Sequence, residues 1–185
     1  MNESDFLIIG GGIAGTTAAE TLRSEDQTSK ITVLEEDKYP LYSKVLIPHY
    51  IKGLKTREQI FLRSFESYKE KNIEFLINKT VTKILPKENT VITSTGENFS
   101  YKKLLITTGG DSKKLNKYKN EHYMQTIDDA DGIIKDLNGA KKGVVIGSGF
   151  ISLEFLEIFL KNNLPTTLCV SANGFWGSIL DKRIS

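Results

Sequence analysis

The sequence predicts an α/β protein in which one βαβ unit carrying an antiparallel meander is followed by a second, incomplete unit of the same kind. Three observations predict it. An apolar run, Phe6-Leu7-Ile8-Ile9, passes directly into Gly10-Gly11-Gly12-Ile13-Ala14-Gly15. The same plan returns at Val144-Val145-Ile146, followed by Gly147-Ser148-Gly149-Phe150-Ile151-Ser152. Between them the apolar period falls to two, over short segments separated by turn residues. Together these describe a Rossmann-like organisation, a strand turning sharply into a helix whose N-terminus receives a pyrophosphate.

Taken in order, Gly10 allows the tight turn, Gly12 lets the phosphates approach the backbone, and Gly15 lets helix and strand pack closely. The helix N-terminus, at Ile13 and Ala14, offers unpaired N–H groups and a positive dipole end to an anion. A helix rich in small residues follows, then the strand Lys30-Ile31-Thr32-Val33-Leu34, which ends in Glu35. An acid about twenty residues past the glycines is placed to accept both ribose hydroxyls. Glu36 joins Glu35 in the candidate ribose site, although Glu36 and Asp37 read equally as solvated strand-end charges.

The segment Tyr39-Pro40-Leu41-Tyr42-Ser43-Lys44 through Gly53 is aromatic and basic, and its prolines argue against a long helix at its start. It reads either as a ligand wall or as surface packing. Residues 65–71 predict a short helix with Phe65 and Tyr68 on one face, ended by Asn72. Residues 73–77, 80–85, 90–95 and 98–102 predict short strands, the last three as a meander. Leu104-Leu105-Ile106, running into Thr107-Thr108-Gly109-Gly110, predicts a separate buried parallel strand whose end faces a ligand. The polar stretch 111–123 connects to the second unit. There a helix capped by Asp128 runs to Asn138-Gly139, residues 143–146 form a strand, 151–161 an apolar helix, and 166–170 a second strand.

Composition narrows the function classes. A formal charge of +2 on 185 residues makes no basic surface for nucleic acid, and no apolar run reaches the length of a membrane span. With a strand beginning within the first few residues there is no room for a signal peptide, so the expected compartment is the cytoplasm. The one cysteine, Cys169, excludes an internal disulfide and a Cys-x-x-Cys redox or zinc site, and no metal site is expected. Its place in a predicted strand suggests a buried structural thiol.

These residues together resemble the FAD-dependent pyridine nucleotide-disulfide oxidoreductases, in particular the ferredoxin, rubredoxin and nitrite reductase-like members without redox cysteines. Five features carry the resemblance: the 10–15 fingerprint with Glu35, the Tyr42-Ser43-Lys44 loop, the meander, the strand ending at Gly110, and the second fingerprint from Gly147 to Glu154. The resemblance implies an FAD-binding domain over 1–112 and an incomplete NAD(P)-binding domain over 113–185. It implies FAD at Gly10, Gly12, Ile13, Ala14, Gly15, Glu35 and Glu36. It also implies Lys44 near the cofactor phosphates, the Val81 backbone against adenine, and Thr108 and Gly109 against the flavin nucleotide. NAD(P)H is implied at Gly147, Gly149, Phe150 and Ile151, with Glu154 beside the nicotinamide. Where relatives carry a further loop lysine near the flavin, the nearest counterpart here is His49.

The implied activity is that of an FAD-dependent NAD(P)H oxidoreductase, with hydride passing from NAD(P)H to FAD and on to an acceptor, including an electron-acceptor protein. The alternative is a non-catalytic dinucleotide-binding module or a truncated subunit of a larger complex. Because the family continues past this point with the rest of the nicotinamide domain, a Gly-Asp motif and an interface domain, the chain is expected to be an N-terminal portion, inactive and poorly stable alone. Ser152 stands where a third glycine is usual, and Ser171-Ala172-Asn173 carries neither the acid that selects NAD nor the arginine that selects NADP, unless Arg183 supplies it. Weak nicotinamide nucleotide binding with little preference is expected.

Overall fold

The structure is a computed structural model and describes residues 2–115, 118 and 120–170. The chain divides into two compact units, Met1–Ser43 with Phe61–Asp111, and Lys44–Ile60 with Ser112–Ser185. The segment Lys44–Ile60, which the continuous division at 112/113 assigns to the first domain, is grouped by its contacts with the second.

The first unit is built on a six-stranded sheet of order β3-β2-β1-β6-β5-β4. Its strands are β1 (Asn2–Ile9), β2 (Ile31–Leu34), β3 (Ile73–Leu76), β4 (Val81–Leu85), β5 (Thr90–Thr93) and β6 (Asn98–Ile106). β1 pairs in parallel with β2 and β6, and β2 with β3, whereas β4, β5 and β6 are antiparallel. The apolar run in β1 is continuous because both faces of the strand are covered. Ile8 packs with Ala19, Ile31, Val33, Tyr68 and Ile73, under helices α1 (Ile13–Glu25) and α3 (Phe65–Glu70). Leu7 and Ile9 turn the other way, onto Leu34, Val91 and Phe99.

One expectation is corrected here: residues 98–102 and 104–110 are not two strands. β6 runs unbroken from Asn98 to Ile106, pairing with β5 at Asn98, Phe99 and Ser100 and with β1 from Phe99 to Ile106. A single strand can belong to the meander and the parallel sheet at once because its two edges are independent hydrogen-bonding partners. The meander itself is as expected.

Polar groups tie the helices of this unit down. Arg23 is buried, its guanidinium donating to the carbonyls of Lys71 (3.1 Å), Asp26 (2.8 Å), Ser29 (2.7 Å) and Asn72 (2.9 Å). Glu20 accepts from Arg63 at 2.8 and 3.0 Å and from Lys71 at 2.6 Å. The Arg63 hydrogen bonds, helped by Lys71 and against partial burial, hold its carboxyl down at about 2.

In the second unit α2 (Ile47–Ile51), α4 (Ile127–Leu137) and α5 (Phe150–Lys161) accompany the parallel pair β7 (Gly143–Ile146) and β8 (Thr166–Cys169). No long helix forms near the prolines: α2 has 5 residues, and Pro48 sits in its first turn, where a missing N–H costs nothing. Asp128 is not the cap of α4. Thr126 is, accepting from the Asp129 amide while the Asp129 carboxylate accepts from the Thr126 amide, a reciprocal box that Asp128 is one residue too early to make. Cys169 is exposed rather than buried, since β8 is paired among the described residues with β7 alone and three of its four residues face outward. No helix among the described residues is long and apolar enough to cross a membrane.

Two measurements test this packing. A Cβ built on Gly15 would run into the Gly10 carbonyl oxygen, backbone that cannot give way, so Gly15→Ala is expected to lower unfolding stability by about 1–3 kcal/mol in urea. Because the folded carboxyl of Glu20 lies below its unfolded value of 4.5, its stabilisation is present above that pH and disappears as pH falls toward 2. Wild type is therefore expected to lose melting temperature across that window more steeply than Glu20→Gln.

Candidate dinucleotide sites

The first candidate site is the turn between β1 and α1. Gly11 and Gly15 are buried, whereas Gly12, Ile13 and Ala14 are exposed, so the loop presents one open side at the helix N-terminus. Gly10 has φ +98°, and a Cβ there would meet the Thr107 carbonyl oxygen at 2.5 Å. Gly12 is different in kind. A Cβ on it meets nothing within 4 Å, so no protein group requires the residue to be glycine. An open backbone cradle in a crowded turn is what an incoming pyrophosphate needs.

Four side chains that the sequence did not assign to the site hold the turn. The Thr107 hydroxyl lies 3.0 Å from the Ile9 carbonyl and 2.9 Å from that of Gly10, at the point where α1 comes closest. The Thr16 hydroxyl donates to the Gly11 carbonyl (2.9 Å), leaving it to accept from the buried Tyr68 phenol, also at 2.9 Å. Phe75 stacks on Tyr68 at 4.2 Å and fills the space a Cβ on Gly11 would take. A threonine at the end of an apolar strand was the one available signal; the spacing puts Tyr68 on an apolar helix face and Phe75 in a strand, but nothing in it brings either to this turn.

Glu35 lies at the same turn. One carboxylate oxygen accepts the Gly11 amide at 2.5 Å and the other accepts the Asp37 amide at 2.9 Å. A carboxylate offers about four lone-pair positions, so two remain for hydroxyl donors. Glu36 is exposed. Val81 is half-buried at the start of β4, against the core beneath the sheet, with a register irregularity between it and Lys83. Thr108 and Gly109 follow β6, Gly109 with φ +69°. Tyr39, Tyr42 and Phe61 form an edge-to-face cluster with centroids 6.0–6.3 Å apart, so this part of the loop packs on itself.

The second candidate site repeats the plan with a difference. Gly147 has φ +118°, Gly149 is the N-cap of α5 with nothing within 4 Å of a Cβ, and Phe150 and Ile151 are exposed. The third position, impossible for a side chain in the first turn, here holds the buried Ser152, whose hydroxyl lies 3.3 Å from a Cβ on Gly147. Lys44 is exposed and opens a 3-10 turn, Lys44–Leu46. His49 lies in α2, and its buried Nδ1 has no hydrogen-bond partner among the described atoms. Glu154 is not a solitary helix-face charge; it pairs with the buried Lys52 at 3.2 Å. Ser171, Ala172, Asn173 and Arg183, on which nucleotide preference was argued, lie outside the described residues. No cluster of three or more potential metal ligands occurs among the described residues.

Comparison with known proteins agrees with this geometry. The profile of the pyridine nucleotide-disulphide oxidoreductase family matches residues 4–185. Putidaredoxin reductase of Pseudomonas putida is 32% identical over 181 residues, covering 93% of this chain and 43% of its own length. An NADH oxidase of Methanocaldococcus jannaschii is 34% identical over 163 residues, covering 80% of this chain and 36% of its own. Among solved structures, the covalent putidaredoxin reductase–putidaredoxin complex superposes with a TM-score of 0.90 at 27% identity, covering 100% of this chain and 46% of that one. The chain thus spans less than half the length of these relatives.

Gly12→Val separates ligand from fold. The backbone at Gly12, φ −64° and ψ −171°, accepts a branched residue, so the variant is expected to keep its stability within about 1 kcal/mol while losing dinucleotide binding. Stoichiometric dinucleotide retained in equilibrium dialysis would remove this turn from the site.

Proposed function

Because the chain belongs to the pyridine nucleotide-disulphide oxidoreductase family, which binds FAD and uses NAD(P)H, we propose that its first turn holds FAD and its second holds the nicotinamide nucleotide. The observation that carries the reading is the pairing of an open Gly12 cradle with a Glu35 carboxylate pinned to the Gly11 amide. Pyrophosphate is received by the exposed N-terminus of α1, and the ribose hydroxyls donate to the two unused lone pairs of Glu35. The Val81 backbone lies against adenine, and Thr108 and Gly109 flank the flavin nucleotide.

In the second unit the N-terminus of α5, at Gly147, Gly149, Phe150 and Ile151, takes the nucleotide pyrophosphate, and Glu154 faces the nicotinamide. FAD, when bound, supplies the two-electron acceptor for a hydride from NAD(P)H. The chain's own residues orient both nucleotides and place a carboxylate at the donor ring. Electrons then pass to an acceptor, an electron-acceptor protein such as the ferredoxin-type partners of related reductases. They do not pass through a cysteine pair of this chain, which has one cysteine.

The purified protein is expected to be yellow and to bleach anaerobically with NADH. A yellow protein that NADH leaves oxidised would support the non-catalytic binding module instead. Glu35→Ala is expected to weaken FAD by about 1–3 kcal/mol, the worth of hydrogen bonds to a charged acceptor.

A further inference from the structure

Thr16 and Tyr68 are both buried, each 1% exposed, and their hydroxyls meet inside the first unit. Buried hydroxyls need partners, and these two form a directed chain. The Thr16 proton goes to the Gly11 carbonyl at 2.9 Å, so the Tyr68 proton goes to the Thr16 oxygen, also at 2.9 Å. Burial pushes the Tyr68 phenol above its ordinary range, so it keeps the proton it donates. The chain does not end at the Gly11 carbonyl. That carbonyl shares a peptide unit with the Gly12 amide, and the peptide is trans, so the N–H points away from the C=O. With the carbonyl drawn inward onto a buried threonine, the Gly12 N–H is turned to the open side of the turn, where Gly12 is exposed and a Cβ meets nothing within 4 Å. Among the described residues no protein group accepts it.

We infer that Thr16 and Tyr68 are positioning residues for the pyrophosphate: their hydroxyl chain aims the Gly12 amide at the bound phosphate and strengthens it as a donor. The inference rests on the proposed place of FAD at the first turn. The amides of Ile13 and Ala14 take their direction from α1, whereas Gly12 is the N-cap with extended backbone, φ −64° and ψ −171°, and the peptide before it lies outside the helix. In a run of three glycines the backbone alone does not fix the direction of that peptide. Thr16 fixes it from one side of Gly11 and Glu35, which accepts the Gly11 amide, from the other. A hydrogen bond to a peptide oxygen also polarises the unit, which makes its N–H the stronger donor, and the Tyr68 bond does the same to the Thr16 hydroxyl one step further back. Both side chains lie behind the turn, so each acts through the Gly11 peptide rather than on the ligand.

The test titrates FAD into the flavin-free protein and reads two quantities, the dissociation constant and the displacement of the Gly12 amide proton resonance that FAD causes. In wild type that resonance is expected to move downfield as the amide takes up a phosphate oxygen. Thr16→Val keeps the shape and removes the hydroxyl; it is expected to weaken FAD about three- to tenfold, the worth of one hydrogen bond, and to reduce the Gly12 displacement. Thr16→Ser keeps the hydroxyl and should restore both quantities, the affinity to within about twofold of wild type. Tyr68→Phe removes only the bond behind Thr16, so a smaller loss of about two- to threefold is expected, with a smaller reduction of the displacement. Because Tyr68 acts through Thr16, the double variant Thr16→Val with Tyr68→Phe should bind FAD no more weakly than Thr16→Val alone. Tyr68→Phe, which keeps the ring that stacks on Phe75, carries the test should Thr16→Val fail to fold. If the variants weaken FAD while the Gly12 displacement stays at its wild-type size, the hydroxyls only support the fold and the inference is overturned. Unchanged affinity and displacement in both single variants, or additive losses in the double variant, overturn it as well. If FAD binds wild type without moving the Gly12 resonance, the reading of the first turn as the pyrophosphate site fails, and the inference with it.

Discussion

The structure of the first unit depends on one close approach, that of α1 to the end of β1. Because Gly15 has no Cβ, the helix can lie against the Gly10 carbonyl, and the chain can reverse without a longer loop. It leaves room for the hydroxyl of Thr107, whose amide donates to the Ile9 carbonyl, to reach the Ile9 and Gly10 carbonyls, and it lets Thr16 donate back to Gly11. Buried carbonyls that a tighter turn would leave unpaired are thereby satisfied. With the inner side of the loop filled by Thr107, Phe75 and Tyr68, the outer side at Gly12, Ile13 and Ala14 is left open. The site follows from the packing.

The second turn shows how much of this arrangement is obligatory. Ser152 occupies the position at which a side chain in the first turn would strike backbone, and it is buried there with its hydroxyl near Gly147. The open N-cap, Gly149, is kept. What the two turns share is the unobstructed helix N-terminus, and what differs is the tightness of the contact behind it. The second unit adds a feature the first lacks, a buried ammonium that fixes the carboxylates of α5.

Much of this was legible in the sequence because it is local. Glycines at 10, 12 and 15 after an apolar run, and Glu35 at the end of the next strand, are spaced by the geometry of the βαβ unit itself, and the structure brings Glu35 to the Gly11 amide. Features that depend on long-range contact were not legible. Arg23 reads as a helix-surface charge until the carbonyls of Asp26 and Ser29 after α1 and of Lys71 and Asn72 after α3 surround it. Tyr68 reads as core until its hydroxyl meets Thr16, 52 residues away. Lys52 looks like any other lysine in the sequence because its partners lie about a hundred residues downstream on α5. The cap of α4 falls on Thr126 rather than Asp128 because only Thr126 makes the reciprocal bonds with Asp129, a local choice between neighbouring polar residues, whereas the continuity of β6 is set by its pairing with β1.

The central claim is that the open N-terminus of α1 receives the pyrophosphate of FAD. Residue-resolved amide hydrogen exchange, followed by NMR with and without FAD, tests it most directly. Ligand oxygens held by backbone N–H groups should slow exchange at Gly12, Ile13 and Ala14. Bound FAD that protects other amides and leaves those three exchanging at their unliganded rates would contradict the account.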